Sequence, residues 1–165
     1  MNVNPSWFDR PDPTGKTSTG EVGLRFECTT CGNCCTGPPG YVRFTQAEAK
    51  AMAKDLGLGL DLFMERYTTD APFGRSLKET QTKHGFDCVF LDRKTRPGKA
   101  LCSVYKSRPK QCRTWPFWGD NVRSAAAWNR AARDCPGMNQ GPLAPPEVIR
   151  LTVSASDEAG DPSRR

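Results

Sequence analysis

Cys28-Thr29-Thr30-Cys31-Gly32-Asn33-Cys34-Cys35 is the stretch on which the reading of this chain turns. It packs four of the eight cysteines into eight residues. A C-x-x-C turn lets both sulfurs converge on one centre while intervening backbone N–H groups point at the thiolates, an arrangement that recurs in zinc and iron–sulfur sites. Gly32 supplies the backbone freedom such a tight turn requires. Cys34 and Cys35 are adjacent, and adjacent side chains tend to diverge. The two are therefore expected to serve different centres, or one to stand behind the other. Four thiols so close together make a poor apolar core and a good ligand set.

The other four cysteines are Cys88, Cys102, Cys112 and Cys135. A single buried cysteine often acts as a small hydrophobe, so plain packing competes with ligation at Cys88, Cys102 and Cys112. The one histidine, His84, sits at a predicted turn and reads as exposed. Any tetrahedral site is then mainly thiolate. Eight thiols suffice for two sites of four, or for one site of four with spectators.

The spacing C-x-x-C-x-x-C matches the start of the bacterial ferredoxin run. No cysteine follows at the ferredoxin distance, but Cys135-Pro136 is a remote Cys-Pro that can supply a fourth ligand in space. This favours a [4Fe–4S] cluster over zinc, with copper(I) a third soft ion that thiolates suit. Cys88 and Cys102 fall on predicted neighbouring strands and are expected to meet. A dithiol redox couple is the competing chemistry, yet the thioredoxin-like strand before and helix directly after the C-x-x-C are missing. The C-x-x-x-C-x-x-C spacing of radical S-adenosylmethionine enzymes is absent. One histidine at a turn builds no Ser/His/Asp or Cys/His set. Gly57-Leu58-Gly59 lacks the lysine of a phosphate loop. Glu65, Asp70, Glu79 and Asp87 show no pairing.

Composition agrees with a fold that needs help. The hydrophobic fraction of 36% lies below the roughly 45–50% of ordinary globular domains, a range that also counts Gly. Gly and Pro number 15 and 14 in a chain of 165 residues. The N-terminus has no basic segment followed by an apolar run, and no stretch reaches the roughly 18 apolar residues of a membrane span. The expectation is a cytoplasmic protein with no membrane partner. Thiols are mostly kept reduced there, so clustered cysteines point to metal or redox chemistry. The net charge of +6 comes from scattered residues, which argues against nucleic acid as a partner.

Along the chain, residues 1–22 read as an extended arm with Trp7 and Phe8 as possible anchors. Residues 23–141 read as the cysteine-cluster domain, and 142–165 as a Pro-rich segment and flexible tail. Leu24–Glu27 reads as a short strand. Thr45 with Glu48 forms a capping box ahead of a helix over Gln46–Leu56, stopped by Gly57. A second helix covers Leu60–Tyr67. Ser76–Thr82 and Gly85–Leu91 read as paired strands around Lys83–His84, with Lys99–Val104 as a third. Pro109 starts a short helix through Gln111 and Cys112. Val122–Asp134 reads as a helix, Val148–Val153 as a strand, and the chain beyond Ser154 as disordered. The fold class is α+β: a small, Cys-rich, loop-rich domain with a short antiparallel sheet and several short helices, organised around a metal centre.

Taken together, these residues resemble a known signature. Cys28-x-x-Cys31-Gly32-x-Cys34-Cys35, Cys88-Val89-Phe90-Leu91-Asp92, Cys102-Ser103-Val104-Tyr105, Arg108-Pro109-x-Gln111-Cys112-Arg113-Thr114-Trp115-Pro116-Phe117-Trp118 and Cys135-Pro136-Gly137 occur in the order of the CxxCxxCC family. These are YkgJ-type cysteine-cluster domains described as chelating zinc or iron. The resemblance covers about residues 24–141. It implies a centre held by these cysteines and supplies no reaction. A similar cysteine domain occurs in flagellin lysine N-methylases, which implies electron transfer or support of protein modification as expected roles. The alternative is a structural zinc module that shapes a surface for a protein or nucleic acid.

The stretch around Cys112 bears on the surroundings of such a centre. Lys106, Arg108, Lys110 and Arg113 surround this cysteine in sequence, and cations favour thiolates. Arg113 is the expected outer partner of the centre, with Lys106 and Lys110 solvated. Tyr105 can hydrogen-bond a ligand. Trp115, Phe117 and Trp118 either shield the centre from water or pack as core.

Overall fold

The computed structural model describes residues 6–15, 20–72 and 74–158. Among them run β1 (Leu24–Phe26), α1 (Gln46–Asp55), α2 (Leu60–Tyr67), β2 (Thr68–Ala71), β3 (Gly74–Leu77), β4 (Glu79–Thr82), β5 (Gly85–Cys88), β6 (Leu91–Asp92), β7 (Leu101–Cys102), α3 (Lys110–Arg113), α4 (Gly119–Val122), α5 (Ala125–Asp134), β8 (Met138–Ala144) and α6 (Pro146–Glu158). The class is α+β, as expected. The strands form separate two-stranded antiparallel ladders, β1–β8, β2–β3, β4–β5 and β6–β7, in place of one short sheet. The chain divides into two compact units. One is Thr30–Trp115, and the other joins Met1–Thr29 to Pro116–Arg165.

In the Thr30–Trp115 unit the helix start is set by chemistry read from the sequence. The Thr45 hydroxyl accepts the Glu48 N–H at 3.2 Å and the Glu48 carboxylate accepts the Thr45 N–H at 2.8 Å. The apolar stripe of α1 places Ala49, Met52 and Ala53 in a core with Phe63, Leu77, Phe90 and Val104. Phe63 is fully buried and stacks on Phe90 with centroids 6.1 Å apart. Burying one such ring contributes about 1.5–3 kcal/mol. The predicted Ser76–Thr82 strand breaks at Lys78. Its first part, β3, pairs back with β2, and its second part, β4, pairs with β5 across the Lys83–His84 turn. The third predicted strand shortens to β7, which pairs Cys102 with Leu91.

The other unit has an aromatic core. Phe117 stacks on Trp128 at 5.7 Å and meets Phe26 edge-on at 6.5 Å. Trp7 and Phe8 anchor the N-terminal segment as expected: Phe8 is buried, and the Trp7 indole N–H donates to the Val122 carbonyl at 2.6 Å. The partner of β1 is β8, a strand that runs through Gly141 and on into the start of the expected Pro-rich segment at Pro142. Two readings of the C-terminal stretch are corrected. Residues Val148–Val153 are helical and part of α6, which continues to Glu158 past the expected onset of disorder at Ser154. Pro146 opens this helix, where its missing N–H costs nothing, and the burial of Ile149 outweighs the strand preference of β-branched residues. The predicted Val122–Asp134 helix is α5 and starts later, at Ala125, since Val122 ends the separate short α4; the Ser124 hydroxyl accepts the Ala127 N–H at 3.1 Å to cap it. Among the described residues no helix is long and apolar enough to cross a membrane.

Candidate metal centre

Six of the cysteines, Cys31, Cys34, Cys35, Cys88, Cys102 and Cys112, belong to the Thr30–Trp115 unit, and all eight are free thiols. The run itself is held by backbone. Gly32 adopts the left-handed φ of 78° and opens a one-turn 3-10 helix, Asn33–Cys35. A Cβ at Gly32 would lie 2.5 Å from the Ala100 Cβ, so only glycine fits. The Ala100 N–H donates to the Thr30 carbonyl at 2.8 Å, and the Phe86 N–H to the Gly37 carbonyl at 2.8 Å. These bonds clamp the run at both ends against the hairpins. The tight turn also changes the expected geometry of the adjacent pair. The Cys34 and Cys35 sulfurs converge to 3.6 Å instead of diverging.

Cys88 and Cys102 are positioned by the core. Cys88 ends β5 and Cys102 lies on β7, and the amides two residues on, of Phe90 and Val104, face their sulfurs. Phe90 and Val104 are themselves core residues, 3% and 1% exposed, so apolar packing fixes the direction of both N–H groups. The Ser103 N–H donates to the Phe90 carbonyl at 2.9 Å and draws the two segments together. Cys112 comes from α3, which Gln111 and Glu48 hold in place. The buried Gln111 amide accepts the Arg43 N–H at 2.9 Å and donates to the Tyr41 carbonyl at 3.1 Å. Glu48 accepts the Lys110 N–H at 2.6 Å.

Cys34, Cys88, Cys102 and Cys112 form one electrostatic neighbourhood. Burial pushes the Cys88 thiol up to about 11, with Cys102, Glu79 and Cys34 adding repulsion. Burial likewise raises Cys112, reinforced by Cys88, Cys102 and Cys34, and it raises Cys102, reinforced by Cys34 and Asp55. The Cys34 thiol is raised first by its hydrogen bond to Cys35 and then by desolvation, although the residue as a whole is exposed. Arg108 opposes the rise at Cys34, Cys102 and Cys112. Arg93 serves the other side. It chelates the buried Asp87 carboxylate, Nε to Oδ2 at 2.8 Å and Nη2 to Oδ1 at 3.1 Å, and feels the charge of Cys35 and Cys31. That pairing, with Thr36 and Thr82 as further donors, holds the Asp87 carboxyl down at about 2.

The remaining predicted residues take other places. Arg113 donates to the Arg108 carbonyl at 2.8 Å and approaches Glu48 at 3.5 Å. Tyr105 is half exposed and lies under the Arg108 guanidinium, 3.7 Å from ring centre to Cζ. His84 is exposed at the β4–β5 turn, and its carbonyl accepts the Thr36 hydroxyl at 3.3 Å. Phe117 belongs to the aromatic core. Cys28 and Cys135 lie in the other unit. There the Glu27 N–H bonds the Gly137 carbonyl at 3.0 Å, between the residue before Cys28 and the second residue after Cys135. Sequence reasoning passed over Asp87, Arg93, Gln111 and the placement of Arg108. For Arg93 the only available signal was its position five residues beyond Cys88.

Among the described residues, no three histidine, cysteine or acidic side chains already stand close enough to hold one ion. The donor set nevertheless fits a soft metal. Four thiols brought in from separate segments raise one another's cost of ionisation, and a divalent ion inverts that repulsion. The 3.6 Å between Cys34 and Cys35 is close to the ~3.8 Å separating two thiolates on a tetrahedral zinc with bonds of about 2.3 Å.

Comparison with known proteins agrees with this donor set. Residues 27–136 match the CxxCxxCC family, described as "Putative zinc- or iron-chelating domain". The uncharacterized protein MJ0661 of Methanocaldococcus jannaschii is 33% identical over 97 residues, 58% of this chain, which spans only 46% of that relative's length. No solved structure matches the chain. With the family match running from the residue before the first cysteine to the residue after the last, the chain belongs to the CxxCxxCC family of zinc- or iron-chelating domains.

Proposed function

We propose that this protein is a thiolate metal carrier of the cytoplasm. Its centre draws on Cys34, Cys88, Cys102 and Cys112, with Cys31 and Cys35 from the same unit beside it. The observation that carries the reading is the collection in one unit of four thiols from separate segments, Cys34, Cys88, Cys102 and Cys112, whose ionisation is made costly by burial and by one another. As thiolates they need a compensating charge, which a bound cation supplies.

An iron–sulfur cluster, [4Fe–4S] first, is the favoured occupant. Cys34 is exposed, and a solvent-facing edge suits electron exchange with a protein partner, in electron transfer or in support of protein modification. Zinc is the second reading, favoured by the short Cys34–Cys35 separation. In that case the metal shapes a binding surface, and its chemistry is structural. Copper(I) remains a third ion compatible with the thiolates.

Anaerobic purification followed by assay of iron, zinc and acid-labile sulfide, together with the visible spectrum, separates these. Iron and sulfide in a brown protein are the expected result. Stoichiometric zinc in a colourless protein supports the second reading. Protein free of metal after reconstitution with either ion overturns both.

A further inference from the structure

Among the described residues, Arg108 combines a charge that eases the ionisation of three of the clustered thiols with a buried donor left over. Its Nε lies buried without a hydrogen-bond partner among the described residues. Its guanidinium carbon lies over the Tyr105 ring, 3.7 Å from the ring centre, and its carbonyl accepts from Arg113 at 2.8 Å. Side chain and backbone are thus both held, and a buried N–H is left with nothing to bond. Such a donor is costly in a finished structure. It persists where a partner is missing, and the thiols whose ionisation the Arg108 charge eases are Cys34, Cys102 and Cys112. Arg93 offers a control within the same unit. Its Nε and Nη2 are both spent on Asp87.

We infer that Arg108 is the positioning residue of the metal centre: its Nε–H donates to a metal-bound sulfur there, and its guanidinium offsets the charge of the thiolates. The inference rests on the reading of these thiols as a metal centre. Arginine is suited to this role because its charge is permanent and its donor fork is flat, so stacking on Tyr105 leaves the N–H edge free to point at sulfur. Lysine in its place keeps the charge and lacks the fixed Nε–H. Glutamine loses both the charge and the fork.

The test uses the full chain, loaded anaerobically with zinc, in wild type, Arg108→Lys, Arg108→Gln and, as control, Lys106→Gln on an exposed lysine. Zinc affinity is read by competition with a chromophoric chelator, and the fold of the metal-free forms by circular dichroism. Outer partners of metal ligands typically carry about 10–100-fold in affinity. Both Arg108 variants are expected to lose affinity in that range, glutamine more than lysine, with Lys106→Gln within about twofold of wild type.

A second measurement needs no variant. The Arg108 Nε–H resonance of wild type should shift and gain protection from exchange when zinc is added. Wild-type affinity in both Arg108 variants, or an Nε–H unmoved by zinc, overturns the role of Arg108 and leaves the metal centre standing. Wild type that takes up no metal overturns the centre and this inference together.

Discussion

Arg93 and Arg108 act on different thiols of one unit, Cys31 and Cys35 against Cys34, Cys102 and Cys112, and are held in opposite ways. Arg93 is closed: its fork meets the Asp87 carboxylate in two bonds, and the Asp87 side chain is only 7% exposed. Arg108 is open: it rests on an aromatic face with a buried donor unspent. The closed pair belongs to the scaffold, because it ties β5 to the turn after β6 and stands beside the Gly32 clamp. The open residue has little to do in the metal-free fold. Charge near a thiolate therefore does not by itself mark a functional cation. What marks one is a donor that the fold does not use.

The comparison breaks most severely at Gly32, on the closed side. Gly32→Ala adds a left-handed penalty of about 1–2 kcal/mol and an overpacking cost of about 1–3 kcal/mol against Ala100. Urea unfolding of the metal-free protein should show the sum. Next comes the pair itself. Arg93→Gln strands a buried carboxylate and is expected to cost about 1–3 kcal/mol, whereas Arg108→Gln should leave metal-free stability within about 1 kcal/mol.

Acid sharpens the same contrast. The Asp87 carboxyl sits at about 2 in the fold against an ordinary 3.8. Its folded value is the lower one, so its contribution is fully present above the ordinary value and is lost as pH falls from about 4 through about 2. Asp87→Asn should flatten that limb of the stability curve between pH 4 and 2, a comparison read from thermal midpoints. The smallest effect is expected at Tyr105→Leu, which removes a half-exposed cation–π contact of about 0.5–1 kcal/mol.

Much of the fold was readable because local signals agreed with the final packing. The Thr45–Glu48 box, the Leu60–Tyr67 helix and the hairpin around Lys83–His84 are short-range features whose causes lie within a few residues. The C-terminal helix was not read, because Val148, Ile149, Thr152 and Val153 favour strands locally and only the burial of Ile149 decides for helix. Strand β8 was hidden by Gly141 and Pro142, yet Gly141 is required there: a Cβ on it would meet the Glu27 Cβ at 2.3 Å.

At the candidate site the donor type was legible and its architecture was not. Sequence proximity to Cys112 singled out Arg113, while the fold turns Arg113 toward Glu48 and presents Arg108 to the thiols. The divergence expected of Cys34 and Cys35 holds for extended backbone and fails in a 3-10 turn entered through a left-handed glycine.

The central claim is that the thiols collected in the Thr30–Trp115 unit hold the metal. Cys112→Ala tests it most directly, because Cys112 is brought to the others by α3 from outside the cysteine run. After anaerobic reconstitution and desalting, wild type should retain metal in stoichiometric amount. Cys112→Ala should retain little or none, with its circular dichroism unchanged. A folded Cys112→Ala protein carrying the wild-type complement of metal would contradict the account.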